Sequence, residues 1–157
     1  MTITGYQEKY KQDFIRLNRA WIEAYFTLER EDLEIMEHVE EYMEKGSEIF
    51  FALEEDNVMA VCMVVPLGNN VWEICKLAAD DKYKGKGAGS AVLRACMDYA
   101  ISQKAEKMII ISNTRLEPAM HLYRKFGFCE VPLRKELWGF ERANIEFEFI
   151  VEKNGGK

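Results

Sequence analysis

Apolar residues recur at intervals of three and four across residues 7–28, where Phe14, Leu17, Trp21 and Tyr25 share one side of a helical wheel. That spacing predicts an amphipathic helix. Residues 31–45 repeat the pattern with Ile35, Met36, Val39, Tyr42 and Met43, and Gly46 supplies the stop. The period then shortens. Residues 49–53 and 58–65 are β-rich runs joined through Glu55, Asp56 and Asn57, which predicts a tight hairpin. Residues 71–79 form the next strand, third or fourth in order according to whether residues 2–6 pair into the sheet.

A Lys/Gly-rich turn follows, after which Val92, Leu93, Cys96, Met97, Ala100 and Ile101 mark a long helix. Residues 107–112 contain a continuous Met-Ile-Ile-Ile run, the pattern of a strand buried on both faces. Residues 118–126 form a short helix, with Pro118 suited to its first turn and Gly127 to the left-handed position past its end. Final strands are expected at 128–133 and 144–151. Helices, then a hairpin, then strand–helix–strand–helix–strand predicts an α/β (α+β) fold, a mixed sheet with a parallel pair near its centre.

With 157 residues, 48% of them apolar, the chain fits one domain over residues 1–151, followed by a frayed tail at 152–157. Lys plus Arg is 21 against 27 for Asp plus Glu, a net charge of -6. A general nucleic-acid binder needs a basic face, so that class is disfavoured. The longest apolar stretch, residues 58–67, is about half of a bilayer span, and residues 1–10 lack a signal-peptide core. Cys62, Cys75, Cys96 and Cys129 have no metal-ligand spacing, and the histidines are His38 and His121. No metal is expected, and reduced thiols in a cytoplasmic protein are.

Candidate chemistry concentrates at Lys84, Gly85, Lys86, Gly87, Ala88, Gly89 and Ser90, between a strand and a helix. Small residues there let backbone come close to a ligand, and the unpaired N–H groups of a helix start favour an anion. The spacing of a P-loop is missing. From Gly85 the last position of a dinucleotide fingerprint is Ser90, and from Gly87 it is Val92, so that motif fails too. Lys76, Lys82, Lys84 and Lys86 form a basic cluster in an acidic chain, which suits a polyphosphate.

The segment Leu77-Ala-Ala-Asp-Asp-Lys-Tyr-Lys-Gly-Lys-Gly-Ala-Gly-Ser-Ala-Val-Leu93 resembles the acetyl-CoA motif Arg/Gln-x-x-Gly-x-Gly/Ala of the GNAT superfamily of N-acetyltransferases. Pro118-Ala-Met-His-Leu-Tyr-Arg-Lys-Phe-Gly-Phe128 is similar to that superfamily's Ala-x-x-Leu-Tyr-x-Lys-x-Gly-Phe helix. Together with the order of elements, the resemblance covers nearly the whole chain. It departs at Lys84, where Arg or Gln is usual, at Leu116, where many members have a cofactor-touching Asn, and at Ala60, where a glycine is common. Asn113 is the candidate to replace the missing Asn.

The resemblance implies a mostly antiparallel central sheet with a splayed parallel pair, helices on both faces, and acetyl-CoA as co-substrate. It assigns Tyr123 as proton donor to the leaving thiolate. It puts the pantetheine arm against the backbone of Leu77, Ala78 and Ala79, and the pyrophosphate on Lys84 and the amides of Gly85 to Ser90. The implied activity is direct acetyl transfer to a primary amine, small molecule or peptide, in a ternary complex. A non-catalytic module binding CoA or acyl-CoA is the alternative, and a nucleotide-binding α/β domain unrelated to CoA is a second one. An alkyl amine with a pKa near 10 must lose a proton before it attacks. Glu73 is the candidate base, directly or through water; lying four residues before Leu77, it is expected on the same strand face. Glu29, in the acidic run with Glu31, Asp32 and Glu34, is the rival base or an anchor for a cationic acceptor. Cys75 would suit an acetyl-thioester route, but no His stands ready to activate it. Trp138, Phe140 and Arg142 read as acceptor-site wall, as a homodimer contact or as a packed loop.

Overall fold

The computed structural model describes residues 1–137 and 141–152. Strand β1 (Thr2–Thr4) leads through a short 3-10 turn into helix α1 (Lys11–Tyr25). Helices α2 (Arg30–Glu37) and α3 (Val39–Glu44) follow, then the hairpin β2 (Glu48–Glu54) and β3 (Asn57–Gly68), and β4 (Val71–Ala79). Helix α4 (Ala88–Ser102), β5 (Lys107–Ser112), α5 (Glu117–Lys125), β6 (Cys129–Val131) and β7 (Ile145–Ile150) complete the order. The strands form one sheet in the order β1-β2-β3-β4-β5-β7-β6. Every neighbouring pair is antiparallel except β4 with β5. Thr2 to Thr4 do pair, with Leu53 to Phe51 of β2, which makes β4 the fourth strand.

The single helix expected over 31–45 is two. His38 leaves the helical region at φ -130 and ψ 36, and its carbonyl accepts the first hydrogen bonds of α3 from Glu41 and Tyr42. The break rotates the second helix, so that α2 buries Asp32 and Met36 while α3 buries Val39.

Each sheet face carries its own core. Val92, Leu93, Cys96 and Met97 of α4, with Met120 and Tyr123 of α5, pack on Cys62, Val64, Ile74, Met108, Ile110 and Phe147. On the opposite face Phe14 and Leu17 of α1, with Val39 of α3, cover Ile49, Phe51, Val61, Met63 and Ala78. Each such side chain contributes roughly 1.5–3 kcal/mol through burial, which makes these two layers the main stabilisation of the fold. Among the described residues no helix is long and apolar enough to cross a membrane.

Candidate active site

Strands β4 and β5 stay together for three residues and then part. Val71, Trp72 and Glu73 lie opposite Lys107, Met108 and Ile109; beyond Glu73 the two strands share no further pairs. The edge of β4 from Ile74 onward, facing β5, therefore has no strand to bond. On its other side β4 carries an extra residue. Val61 lies opposite Ala78 and Met63 opposite Cys75, so three steps along β4 match two along β3. Lys76 absorbs the mismatch with φ 55, a left-handed conformation that costs a residue with a Cβ about 1–2 kcal/mol.

The bulge overturns one expectation. Alternation would place Glu73 and Leu77 on one face, but the extra residue reverses the parity. Cys75 and Ala78 pack with the α1 side, whereas Ile74 and Leu77 pack with the α4 side. Glu73, two residues before Cys75, shares the α1 side. One strand thus presents Glu73 to one face of the gap and Leu77 to the other.

The gap opens into a cavity of about 670 Å³ lined by Glu73 to Ala79 of β4, Ile110 to Ser112 of β5, and Ala119, Leu122 and Tyr123 of α5. Burial pushes the Glu73 carboxyl up to about 7, against the opposing pull of the Lys76 charge. Glu73 can therefore both accept and release a proton near neutrality. Tyr123 is buried, with its ring edge-on to Phe128 and Phe147 at 6.4 and 5.7 Å. Burial raises its phenol pKa further, so the hydroxyl keeps its proton. Cys75 also lines the cavity, and burial followed by the charge of Glu73 pushes its thiol well up, which leaves it a poor nucleophile.

On the α4 side the glycine turn meets the expectation of an open helix start. Gly85 and Gly87 sit at φ 83 and 77, and Gly87 is the N-cap of α4, whose first turn holds no acidic residue. The first N–H groups of a helix have no partner within it. A Cβ built on Gly85, Gly87 or Gly89 would meet nothing within 4 Å, so the fold itself leaves the space above this turn open. Ala88 is buried under the turn and Ser90 is half-buried. The lysine cluster is smaller than expected. Lys76 is buried on the other face, Lys86 pairs with Glu54 at 2.8 Å, and Lys82 lies 5.6 Å from the Tyr83 ring centre. Lys84 is exposed at the turn.

The acidic run divides into separate roles. Asp32 is fully buried; its carboxylate accepts from the Lys76 ammonium and from both terminal guanidinium nitrogens of Arg142, at 2.7 and 2.8 Å. Burial alone would raise its pKa, but the Arg142 hydrogen bonds and the Lys76 charge hold it down to about 2. Glu29 is placed otherwise than expected: it accepts hydrogen bonds from the backbone N–H of Glu141 at 2.7 Å and of Arg142 at 3.2 Å, and from the Arg142 side chain at 3.3 Å. It ties the segment before β7 to α2 and is not among the residues lining the cavity, whereas Glu31 and Glu34 are. Asn113 lines the cavity, but its side chain donates to the Arg142 carbonyl at 2.6 Å and accepts from the Arg115 N–H at 2.8 Å. It shapes the start of the turn into α5. Arg142 lies in the wall; Trp138 and Phe140 fall outside the described residues.

Sequence reading missed the Asp32–Lys76–Arg142 cluster, although two signals were present. Asp32 stands four residues before Met36, on the apolar stripe of its helix, and Lys76 sits between apolar neighbours, Ile74 and Cys75 before it and Leu77 and Ala78 after it. Tyr42, on α3, is a further cavity residue without a sequence signal.

A model of the acetyltransferase (GNAT) family matches residues 11–128. N-acetylaspartate synthetase from Xenopus tropicalis is 31% identical over 102 residues, 61% of this chain but 36% of that protein, so this chain spans only a minor part of that relative's length. The GNAT-family acetyltransferase of Staphylococcus aureus Mu50 superposes with a TM-score of 0.86 at 18% identity, over 96% of this chain and 99% of that one. The PaiA N-acetyltransferase of Thermoplasma acidophilum, solved in complex with coenzyme A, gives 0.74 at 12% identity, over 96% and 100%. Both show the same fold. The matched span runs from α1 through the splayed strands, the glycine turn and the Tyr123 helix, and the chain belongs to the acetyltransferase (GNAT) family.

Proposed function

We propose that this protein is an N-acetyltransferase that moves the acetyl group of acetyl-CoA directly to a primary amine. The observation that carries the proposal is the pairing of a carboxyl titrating near neutrality, Glu73, with a protonated phenol, Tyr123, on the two faces of one splayed-strand cavity. The coenzyme A in the Thermoplasma neighbour and the N-acetylation in the name of the Xenopus relative agree with it.

The chain's own features fit the co-substrate. The open amides at the start of α4, beneath glycines that leave room, would hold the pyrophosphate, with Lys84 beside them. The unpaired edge of β4 at Leu77, Ala78 and Ala79 would hold the pantetheine arm. Bound there, acetyl-CoA supplies an acetyl group activated as a thioester. Glu73 takes one proton from the acceptor ammonium, leaving a nitrogen lone pair free to form the new C–N bond. Backbone N–H groups beyond the bulge stabilise the charge that develops on the carbonyl oxygen. As the C–S bond breaks, Tyr123 gives its proton to the sulfur, and the second amine proton restores the phenol through solvent. The raised thiol of Cys75 disfavours an acetylated enzyme intermediate and supports transfer within a ternary complex.

Acetyl-CoA turnover with a panel of primary amines, small molecules and peptides, tests the reading. Wild type is expected to turn over at least one amine, and Tyr123→Phe to lose about 10²-fold or more in kcat with its acetyl-CoA affinity kept. Unchanged turnover in Tyr123→Phe overturns the assigned acid. Tight acetyl-CoA binding with no turnover of any amine overturns catalysis and favours a CoA-binding regulatory module.

A further inference from the structure

Lys76 is a charged residue where the fold should least accept one. It sits in the middle of β4, is 6% exposed, and holds a left-handed backbone conformation at the bulge. Its ammonium binds Asp32, which has no exposure at all, and Asp32 in turn is clamped by both terminal nitrogens of Arg142. Arg142 stands in the segment before β7 and Asp32 in α2. Three walls of the cavity are thereby tied through one carboxylate: the β4 bulge, helix α2 and the segment leading into β7.

We propose that Lys76 is a positioning residue of this site: anchored by Asp32 and Arg142, it locks the β4 bulge and fixes the positive charge that Glu73 faces. The lock has a direct consequence for geometry. The bulge is what turns Glu73 and Leu77 to opposite faces, so a β4 that regained regular alternation would bring them to one side. Holding the extra residue in place with a buried ion pair keeps the base on the acceptor side and the backbone edge on the other. The charge has a consequence for chemistry. Lys76 is the cation on Glu73's own strand, and it opposes the rise that burial causes.

Other groups around Glu73 come from every packed element. Cys75 lies on β4, Tyr42 on α3, Glu31 and Glu34 on α2, Arg115 before α5, Tyr123 on α5 and Arg142 before β7. Arg142 has its charge balanced by Asp32 and Glu29. Lys76 is the group that sets the sign of its own effect most clearly, because its removal takes away a cation.

The inference rests on Glu73 being the base, and the test separates the two. The Glu73 carboxyl is titrated by carbon-13 NMR in the protein without acetyl-CoA, in wild type, Lys76→Arg and Lys76→Met; the pH profile of kcat is measured alongside. Lys76→Arg keeps the charge and is expected to leave the midpoint near that of wild type. Lys76→Met is expected to raise it by about one pH unit, to move the acid limb of kcat by the same amount, and to lower kcat more than it raises KM for acetyl-CoA. Simple loosening would do the reverse, since water entering around Glu73 lowers its midpoint. A midpoint in folded Lys76→Met that is unchanged or lower overturns the inference. Should Lys76→Met fail to fold, the double variant Lys76→Met/Asp32→Asn removes both buried charges together. Its midpoint is expected above wild type, because the Lys76 charge acts on Glu73 directly; a wild-type midpoint there overturns the inference equally. If the midpoint shifts as expected while Glu73→Gln leaves turnover intact, Lys76 still controls Glu73 and it is the base assignment that falls.

Discussion

In the role of base proposed for it, Glu73 serves catalysis while working against folding. Its carboxyl has an ordinary pKa near 4.5 in a solvated chain and about 7 in the folded protein. Between those values the folded state holds a proton that the unfolded state has lost, so stability falls as pH rises through this window. A base must be ionised, so activity rises through the same window. Glu73→Gln is expected to lower kcat by about 10²–10⁴-fold and to abolish the acid limb near pH 7. At pH 8 it should also raise the melting temperature, since the uncharged amide avoids a penalty of order 1–3 kcal/mol. Melting curves at pH 5 and pH 8 check this: a gain at pH 8 that is absent at pH 5 is the expected signature, and equal melting temperatures at both would contradict it. The elements that hold Glu73 and Tyr123 were legible in the sequence because each has its own hydrophobic pattern, but the face that Glu73 takes was not. Glu29 misled for the opposite reason. An acidic run in a connection has no periodicity of its own, and which of its members turns inward depends on the start of α2, where Glu29 is the N-cap and Asp32 closes a capping box with it.

At the scale of the element, β4 carries the site through two departures from regularity. It leaves β5 after Glu73 and it gains a residue against β3 at Lys76. Its boundaries were readable from hydrophobic pattern alone, whereas the bulge was not. Pairing across strands, with Met63 opposite Cys75 and Val61 opposite Ala78, decides which face a residue takes, and a single-strand pattern contains no information about its partner's register. Helix α4 was the reverse case. Its glycine turn was visible, but the basic cluster assigned to it lost Lys76 to the opposite face of the sheet and engaged Lys86 with Glu54. What remains for an anion is mostly backbone. Gly89 is the sharpest probe of that claim, because it lines the cavity inside the first turn of α4 and a Cβ there would touch nothing in the protein. Gly89→Leu should therefore leave the melting temperature unchanged or raise it slightly, since leucine is a better helix former by about 1 kcal/mol. It should weaken acetyl-CoA binding by tenfold or more, measured by calorimetry. Equal affinity in the variant would mean that the first turn of α4 does not approach the ligand.

The whole molecule couples two layers across the sheet, with side-chain bridges at its margins such as Arg115 to the Tyr25 carbonyl. Element order made the fold class readable, since most helices and strands announced themselves through their own period; the break at His38 and the pairing of β1 did not. The final order β5-β7-β6 did not, because inserting the last strand between two earlier ones depends on long-range pairing such as Ile110 with Phe147. The segment that leads into that inserted strand brings Arg142 against Asp32 of α2. The acidic balance of -6 is a whole-molecule property as well, and it sharpens the expectation for ligands. A polyanion approaches such a protein against its net charge, so selective binding must come from the local amides of the α4 start and the β4 edge rather than from general attraction. ATP and NAD carry a linked phosphate chain comparable to the pyrophosphate of acetyl-CoA but lack the pantetheine arm that the splayed strands would hold. Acetyl-CoA at about a hundred times its Kd is expected to stabilise the folded state by about 2.7 kcal/mol. For a domain of this size that is a rise of about 5–10 °C in melting temperature. ATP and NAD at the same concentration should move it by less than a third as much. Raising the salt concentration should shrink the ATP response more than the acetyl-CoA response, because part of acetyl-CoA's binding comes from the uncharged pantetheine arm. A melting temperature that responds equally to all three ligands would show that the phosphate turn alone does the binding, and that the gap between β4 and β5 does not take the arm.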